Sequence, residues 1–276
     1  MKQLFTISVL TLTLFACKEQ PKNNEVSETE TETPVVKETE AKKGTPFTDK
    51  IESAHNKEAY DEKEAVSFDL DIVFGGKPAF KGRVTQMADG SKIRIDNPDG
   101  SKIIYDNKEV FICPKDAKTD RARFNIFTWS YFFGLPYKLN DPGTFWEAPV
   151  EKEIDGKTTQ TAKVSFKDGT GDAPDDWYVV YQDPENGSIA GAAYIVSFGK
   201  SQSEAEKEPH AIKYHNYQKV DEVPIATKWT FHNWNNDGGF GDQIGEATLT
   251  NIEFMNTSET LFDRPENSKT VPAPGN

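Results

Sequence analysis

Two periodicities divide the chain. From Val66 to Phe74 apolar and polar residues alternate almost without fault (Val66, Phe68, Leu70, Ile72 and Phe74 against Ser67, Asp69 and Asp71). That is the signature of a strand with one dry face and one wet one. Similar runs follow at Phe80–Met87, Lys92–Asp96, Lys102–Tyr105 and Glu109–Cys113, separated by Gly75-Gly76, Asp89-Gly90, Asp99-Gly100 and Asp106-Asn107, pairs suited to tight hairpins. The pattern then changes. Across Arg121–Gly143, Phe124, Phe127 and Tyr131 recur at helical spacing, and Ile126, Trp129 and Phe133 do so on another face. A helix apolar around most of its circumference needs to be surrounded. Asp120 is a candidate N-cap, and Gly134 with Pro136 a candidate stop. Alternation resumes at Trp146–Ile154, Gln160–Lys167, Trp177–Gln182, Ile189–Phe198, Ile212–Val220, Ile225–Trp234 and Gly245–Phe254, with Ser201–Pro209 and Asn235–Gln243 as longer exposed loops. Ahead of it all, Phe47–Tyr60 reads as an N-terminal helix capped by Thr48, with Ile51, Ala54 and His55 on one face.

The expected fold is α+β and mainly β: one large curved antiparallel sheet, a half-open barrel of about 11 strands, with helices covering its concave face. The domain is expected over residues 46–265, with 266–276 a loose C-terminal tail.

The first 45 residues follow other rules. Residues 1–16 pair a charged Lys2 with an apolar run from Leu4 to Phe15, too short to span a bilayer, and end in Leu14-Phe15-Ala16 before Cys17. This resembles a lipoprotein signal peptide, with cleavage before Cys17 and acylation of its thiol, so membrane contact is expected through that N-terminal lipid anchor. Residues 18–45 are Glu, Thr, Lys, Asn and Pro with almost nothing apolar, and read as a disordered tether following the acylated cysteine. Lys18-Glu19 resembles the export signal of surface lipoproteins in Bacteroidota. The expected location is the outer membrane of a Gram-negative bacterium, facing the periplasm or the cell surface.

A formal net charge of −13 makes nucleic acid a poor partner. With Cys17 acylated, Cys113 has no disulfide partner and reads as a structural thiol. The four histidines (His55, His210, His215, His232) lack metal-ligand spacing. Asp168, Asp172, Asp175 and Asp176 crowd one loop but miss the EF-hand pattern, so a polar turn is the reading and no metal is expected. No Gly-x-Ser-x-Gly elbow occurs, so no catalytic residue is named and no enzyme is expected.

The segment Trp129–Gly143 (WSYFFGLPYKLNDPG), the strand and turn Asp176–Pro184 (DWYVVYQDP) and Val223–Trp229 (VPIATKW) together resemble the LolA/LolB-like lipoprotein-carrier superfamily, and more closely an uncharacterised Bacteroidota lipoprotein family related to it. Val223 stands where glycine is usual in that family. The resemblance implies an apolar cavity between sheet and helices that takes a lipid or acyl chain without a cofactor. Phe127, Trp129, Phe132, Phe133, Trp229 and Phe231 are the candidate hydrophobic wall. The main reading is a binder of a hydrophobic ligand; its first rival is a non-catalytic envelope interaction module with a packed core that binds a protein or glycan on its outer surface, and its second a hydrolase using the acidic loop at Asp172.

Overall fold

The structure is a computed structural model and describes residues 44–273. The signal peptide, Cys17 and the tether lie outside the described residues.

Thr45, extended and followed by Pro46, opens α1 (Pro46–Ala54). Proline suits a first helical position, where no intrahelical partner awaits its missing N–H. Thr45 and Thr48 then bond reciprocally in a capping box, so Thr48 supports the cap and Thr45 forms it. The single expected helix is broken at Asn56, whose left-handed φ of 52° ends α1 and starts α2 (Lys57–Asp61).

Five strands follow: β1 (Ala65–Phe74), β2 (Lys77–Met87), β3 (Ile93–Asp96), β4 (Lys102–Tyr105) and β5 (Val110–Cys113). The aromatic helix α3 (Ala122–Gly134) runs into a 3₁₀ turn at Leu135–Tyr137. Its N-cap is Arg121, without a side-chain bond, in place of Asp120. Then come β6 (Thr144–Trp146), β7 (Val150–Ile154), β8 (Lys157–Phe166), β9 (Tyr178–Gln182), β10 (Ile189–Tyr194), α4 (Gln202–Ala205), β11 (His210–Val220), β12 (Val223–Asn235), β13 (Gly239–Met255) and β14 (Lys269–Val271).

All strands join one antiparallel sheet in the order β14-β5-β4-β3-β2-β1-β13-β12-β11-β10-β9-β8-β6, with β7 also on β8. The sheet is large, mainly antiparallel and not closed. It has 14 strands instead of about 11. Trp146–Ile154 is two strands because Glu147-Ala148-Pro149 interrupts it, and Pro149 has no N–H for a ladder. The stretch expected to be a loose tail contributes β14, where Lys269–Val271 pairs Val110–Ile112. Asn235–Gln243 is mostly strand, since β12 and β13 run on to a short turn.

β1 sits mid-sheet, between β2 and β13. The first half of the chain steps outward from it to one edge, and the second half starts at the opposite edge and steps back. Residues 114–143 must therefore carry the chain from edge to edge. The aromatic helix is that crossing, which explains why none of α3 is exposed.

Val66, Phe68, Leu70 and Ile72 face the helices in the main core. Along β9, Tyr178 and Val180 join this core, while Val179 and Tyr181 join a second apolar layer on the opposite face with Ile154, Trp177, Ala193, Ile195, Ala205, Ala211 and Trp234. Burial on both faces is why Tyr178–Tyr181 is continuously apolar.

Candidate functional site

The helices meet the inner face of the sheet along a seam made largely of aromatic rings. Trp129, Phe132 and Phe231 stand in a triangle with each pair of ring centroids 6.1 Å apart. Phe133 stacks on Phe68 of β1 at 4.4 Å. Trp229 packs edge-on to Tyr214 at 6.1 Å. Each of these five expected wall residues is at most 4% exposed. Phe127 stands apart: it is half-buried, against Tyr105 at 4.9 Å, with the Arg123 guanidinium 5.2 Å above its ring.

The seam is closed. One small cavity beside it, about 10 Å³, is lined by His55, Phe133, Pro136, Tyr137, Tyr214, Tyr217, Pro224, Ile225, Ala226 and Trp229. That is about enough for the centre of one water molecule.

Polar groups are scattered through this seam, a feature the sequence pattern did not signal. The Ile189 N–H donates to His55 Nε2 at 3.0 Å, so the neutral ring carries its proton on Nδ1. Nδ1–H faces the Pro224 carbonyl, which also accepts from Tyr137 Oη at 2.8 Å, but it completes no hydrogen bond of ordinary geometry there. Burial pushes the His55 pKa down to about 4, so the ring is uncharged at neutral pH. Tyr60 stacks on Tyr137 at 3.9 Å and faces Gln86, yet Tyr60 Oη and Gln86 Oε1 complete no hydrogen bond. Ser130 Oγ on α3 and Asn140 Oδ1 beyond the 3₁₀ turn are likewise unpartnered within the protein. Buried Glu52, its pKa raised chiefly by desolvation, accepts from the Asn140 N–H at 3.0 Å and from Asn140 Nδ2 at 2.7 Å. Tyr214 Oη donates to the Phe132 carbonyl and Tyr217 Oη to that of Ile189.

The acidic loop is structural. Asp172 takes Arg123 through Nε at 2.7 Å and Nη2 at 2.5 Å, while Arg123 Nη1 reaches the Val271 carbonyl at 3.2 Å. Asp176 accepts from the Ser197 N–H at 2.7 Å, and burial raises its pKa to about 6. On the opposite sheet face His215 Nε2 and His232 Nε2 converge on Thr230 Oγ1, at 2.8 and 2.9 Å. Thr230 is buried, so its hydroxyl is not presented to a substrate. Among the described residues no group of three His, Cys, Asp or Glu is placed to hold a metal.

A polar groove of about 660 Å³ lies on that opposite face, over β3, β2, β1 and β13. Within it Lys81 pairs with Asp71 at 2.7 Å and Arg83 with Asp69 at 2.9 Å, while Asp96 and Glu246 of its lining pair with Arg94 and Lys228 beside it.

Residues 101–214 match DUF6503, a family of unknown function. No curated protein matches. Among solved structures the chain is similar to a LolA superfamily protein from Nitrosomonas europaea, at 9% identity over 78% of this chain and 97% of that one, with a TM-score of 0.49. It is similar to a DUF1329 family protein from Desulfovibrio piger, at 14% identity over 80% and 98%, TM-score 0.49. A domain described as outer membrane lipoprotein-sorting, from Vibrio parahaemolyticus, is similar at 12% identity over 78% and 97%, TM-score 0.46. At these identities and scores the likenesses assign no ligand and no site residue. Among the described residues no helix is long and apolar enough to cross a membrane.

Proposed function

We propose that the chain is a non-catalytic, outer-membrane lipoprotein of the cell envelope, anchored through acylated Cys17, that binds a hydrophobic ligand, a lipid or acyl chain, by parting the seam between sheet and helices. The observation that carries this reading is where the unpartnered polar atoms lie. Among the described residues there are five: those of His55, Tyr60 and Ser130 belong to the helices and their caps, that of Gln86 to β2, and that of Asn140 to the loop held against α1 through Glu52. Each buried polar atom left without a partner costs about 1–3 kcal/mol. The closed seam is thus weaker than a purely aromatic interface of the same size. Parting it relieves those atoms, and an acyl chain entering against Trp129, Phe132, Phe133, Trp229 and Phe231 gains about 0.8 kcal/mol per buried methylene. Phe127 sits at the outer end of that wall, beside Arg123.

Native mass spectrometry of the chain purified without detergent tests the reading. A bound mass lost on organic extraction and identified as lipid supports it. A clean apo mass, with no uptake of added acyl ligands, overturns it. That second result favours a packed interaction module, for which the 660 Å³ outer groove is the relevant observation. In that case Trp129→Ala lowers stability alone, while Thr248→Arg in the groove abolishes partner capture.

A further inference from the structure

The seam's polar atoms constrain the ligand it takes. Those facing it are an imidazole N–H, phenol and serine hydroxyls and side-chain amides; the lining of the small cavity includes neither lysine nor arginine. The cations beside the helices are committed elsewhere: Lys138 Nζ donates to the Asp89 carbonyl at 2.7 Å and to Asp141 at 3.1 Å, and Arg123, over Phe127, is paired with Asp172. The one buried ionisable carboxyl there, Glu52, would repel an anion. An anionic headgroup drawn into this seam would lose its hydration with no counter-charge to replace it, a penalty of several kcal/mol. An ester or amide carbonyl, or a hydroxyl, needs one donor or acceptor, and the seam supplies both kinds.

Building on the seam reading above, we propose that the bound lipid carries an uncharged polar end, an ester, amide or hydroxyl, and that His55 Nδ1–H is the donor its oxygen meets. His55 is fully buried at the C-terminal end of α1 and borders the cavity that Trp229 and Phe133 line on the apolar side. A chain lying along the aromatic wall therefore brings its polar end to the imidazole. Burial keeps that ring neutral at physiological pH, which preserves the single N–H and excludes attraction for a carboxylate.

The test compares 1-oleoylglycerol with oleate, added below their aggregation concentrations at pH 8 and followed by tryptophan fluorescence and native mass spectrometry of the full chain. The expected result is saturable uptake of 1-oleoylglycerol, with oleate weaker by about tenfold or more. Oleoyl amide should follow the glycerol ester. Oleate bound as tightly as 1-oleoylglycerol overturns the headgroup assignment and leaves the seam reading standing. Uptake of none of the three overturns the seam reading, and this proposal with it. For the residue itself, His55→Gln keeps an acceptor for the Ile189 N–H and a donor toward the cavity, whereas His55→Leu keeps neither. Selective loss of 1-oleoylglycerol uptake in the folded leucine variant, with retention in the glutamine variant, supports the donor role. Equal uptake by both folded variants removes His55 from it; should the leucine variant not fold, loss of uptake in the glutamine variant while a folded thermal transition is retained removes it instead.

Discussion

Asp176 and His55 load the molecule's stability in opposite directions as pH changes. Burial lifts the Asp176 pKa to about 6 from an ordinary 3.8, so between those values the folded chain holds a proton that the unfolded chain has lost. Stability from this group falls as pH rises through that window. Burial lowers the His55 pKa to about 4 from 6.5, so there the unfolded chain holds the extra proton, and stability falls as pH drops. Each swing is about 3 kcal/mol, and the two largely offset one another between pH 4 and 6. Asp176→Asn keeps an oxygen for the Ser197 N–H and removes only the first. Urea titrations should find this variant more stable above pH 6, by up to about 3 kcal/mol, and more acid-sensitive than the parent below it; unchanged profiles would refute the assignment. The Arg123–Asp172 pair makes a different prediction. Both side chains are at most 15% exposed, so removing one partner strands a buried charge. Arg123→Met should cost about 3–5 kcal/mol, and adding Asp172→Asn should restore a good part of it. Two independent losses would mean that the pair is not coupled.

Elements that rest on a single local signal were legible in the sequence. The alternation from Val66 to Phe74 placed β1, and the aromatic spacing placed α3, because period and burial coincide there. Elements decided by distant partners were not. β14 exists because Val110–Ile112 offers an unpaired edge, a fact absent from the composition of Lys269–Val271. The second apolar layer was hidden because it gathers Ile154, Val179, Ala193, Ala211 and Trp234 from five strands, and no one of those strands signals locally that its outer face will be covered. Of the six candidate wall residues, five are buried at the seam and Phe127 is half-buried apart from it, and periodicity carries no information on whether rings facing one another leave a gap. The polar atoms of the seam escaped for a similar reason: His55, Gln86 and Ser130 lie on three separate elements. For α3 the expectation is direct. Trp129→Ala or Phe132→Ala should lower unfolding free energy by about 3–5 kcal/mol in chemical denaturation, and a loss under about 1 kcal/mol would show that the seam is already loose. Gly191 on β10 is a further constraint, since a Cβ there would stand 2.6 Å from the Ile212 carbonyl and 2.9 Å from the Phe240 ring. Gly191→Ala should therefore lower the thermal midpoint, whereas Gly100→Ala, also unfavourable because of its positive φ but with nothing within 4 Å, should act through its backbone alone.

At the scale of the whole molecule the two halves of the sheet are anchored on each other at β1 and β13, far apart in sequence and adjacent in space. The sheet remains open, and α3 spans the face between its edges as a brace. If ligand binding parts the seam, this brace and α1–α2 move while the ladder stays intact, and hydrogen exchange should then quicken in residues 46–61 and 122–137 but not in β1 or β13. Uniform quickening would point to loosening of the whole sheet. The central pairing also has a consequence in time. A chain emerging residue by residue completes β1 and β2 early, but the other flank of β1 waits for residues 239–255. Until then the middle of the future sheet is a bare edge bordered by Phe68, Leu70 and Ile72, the kind of surface that recruits strands from neighbouring chains. Assembly therefore closes at the centre last, and a nascent or prematurely ended chain bares an edge that a finished one covers.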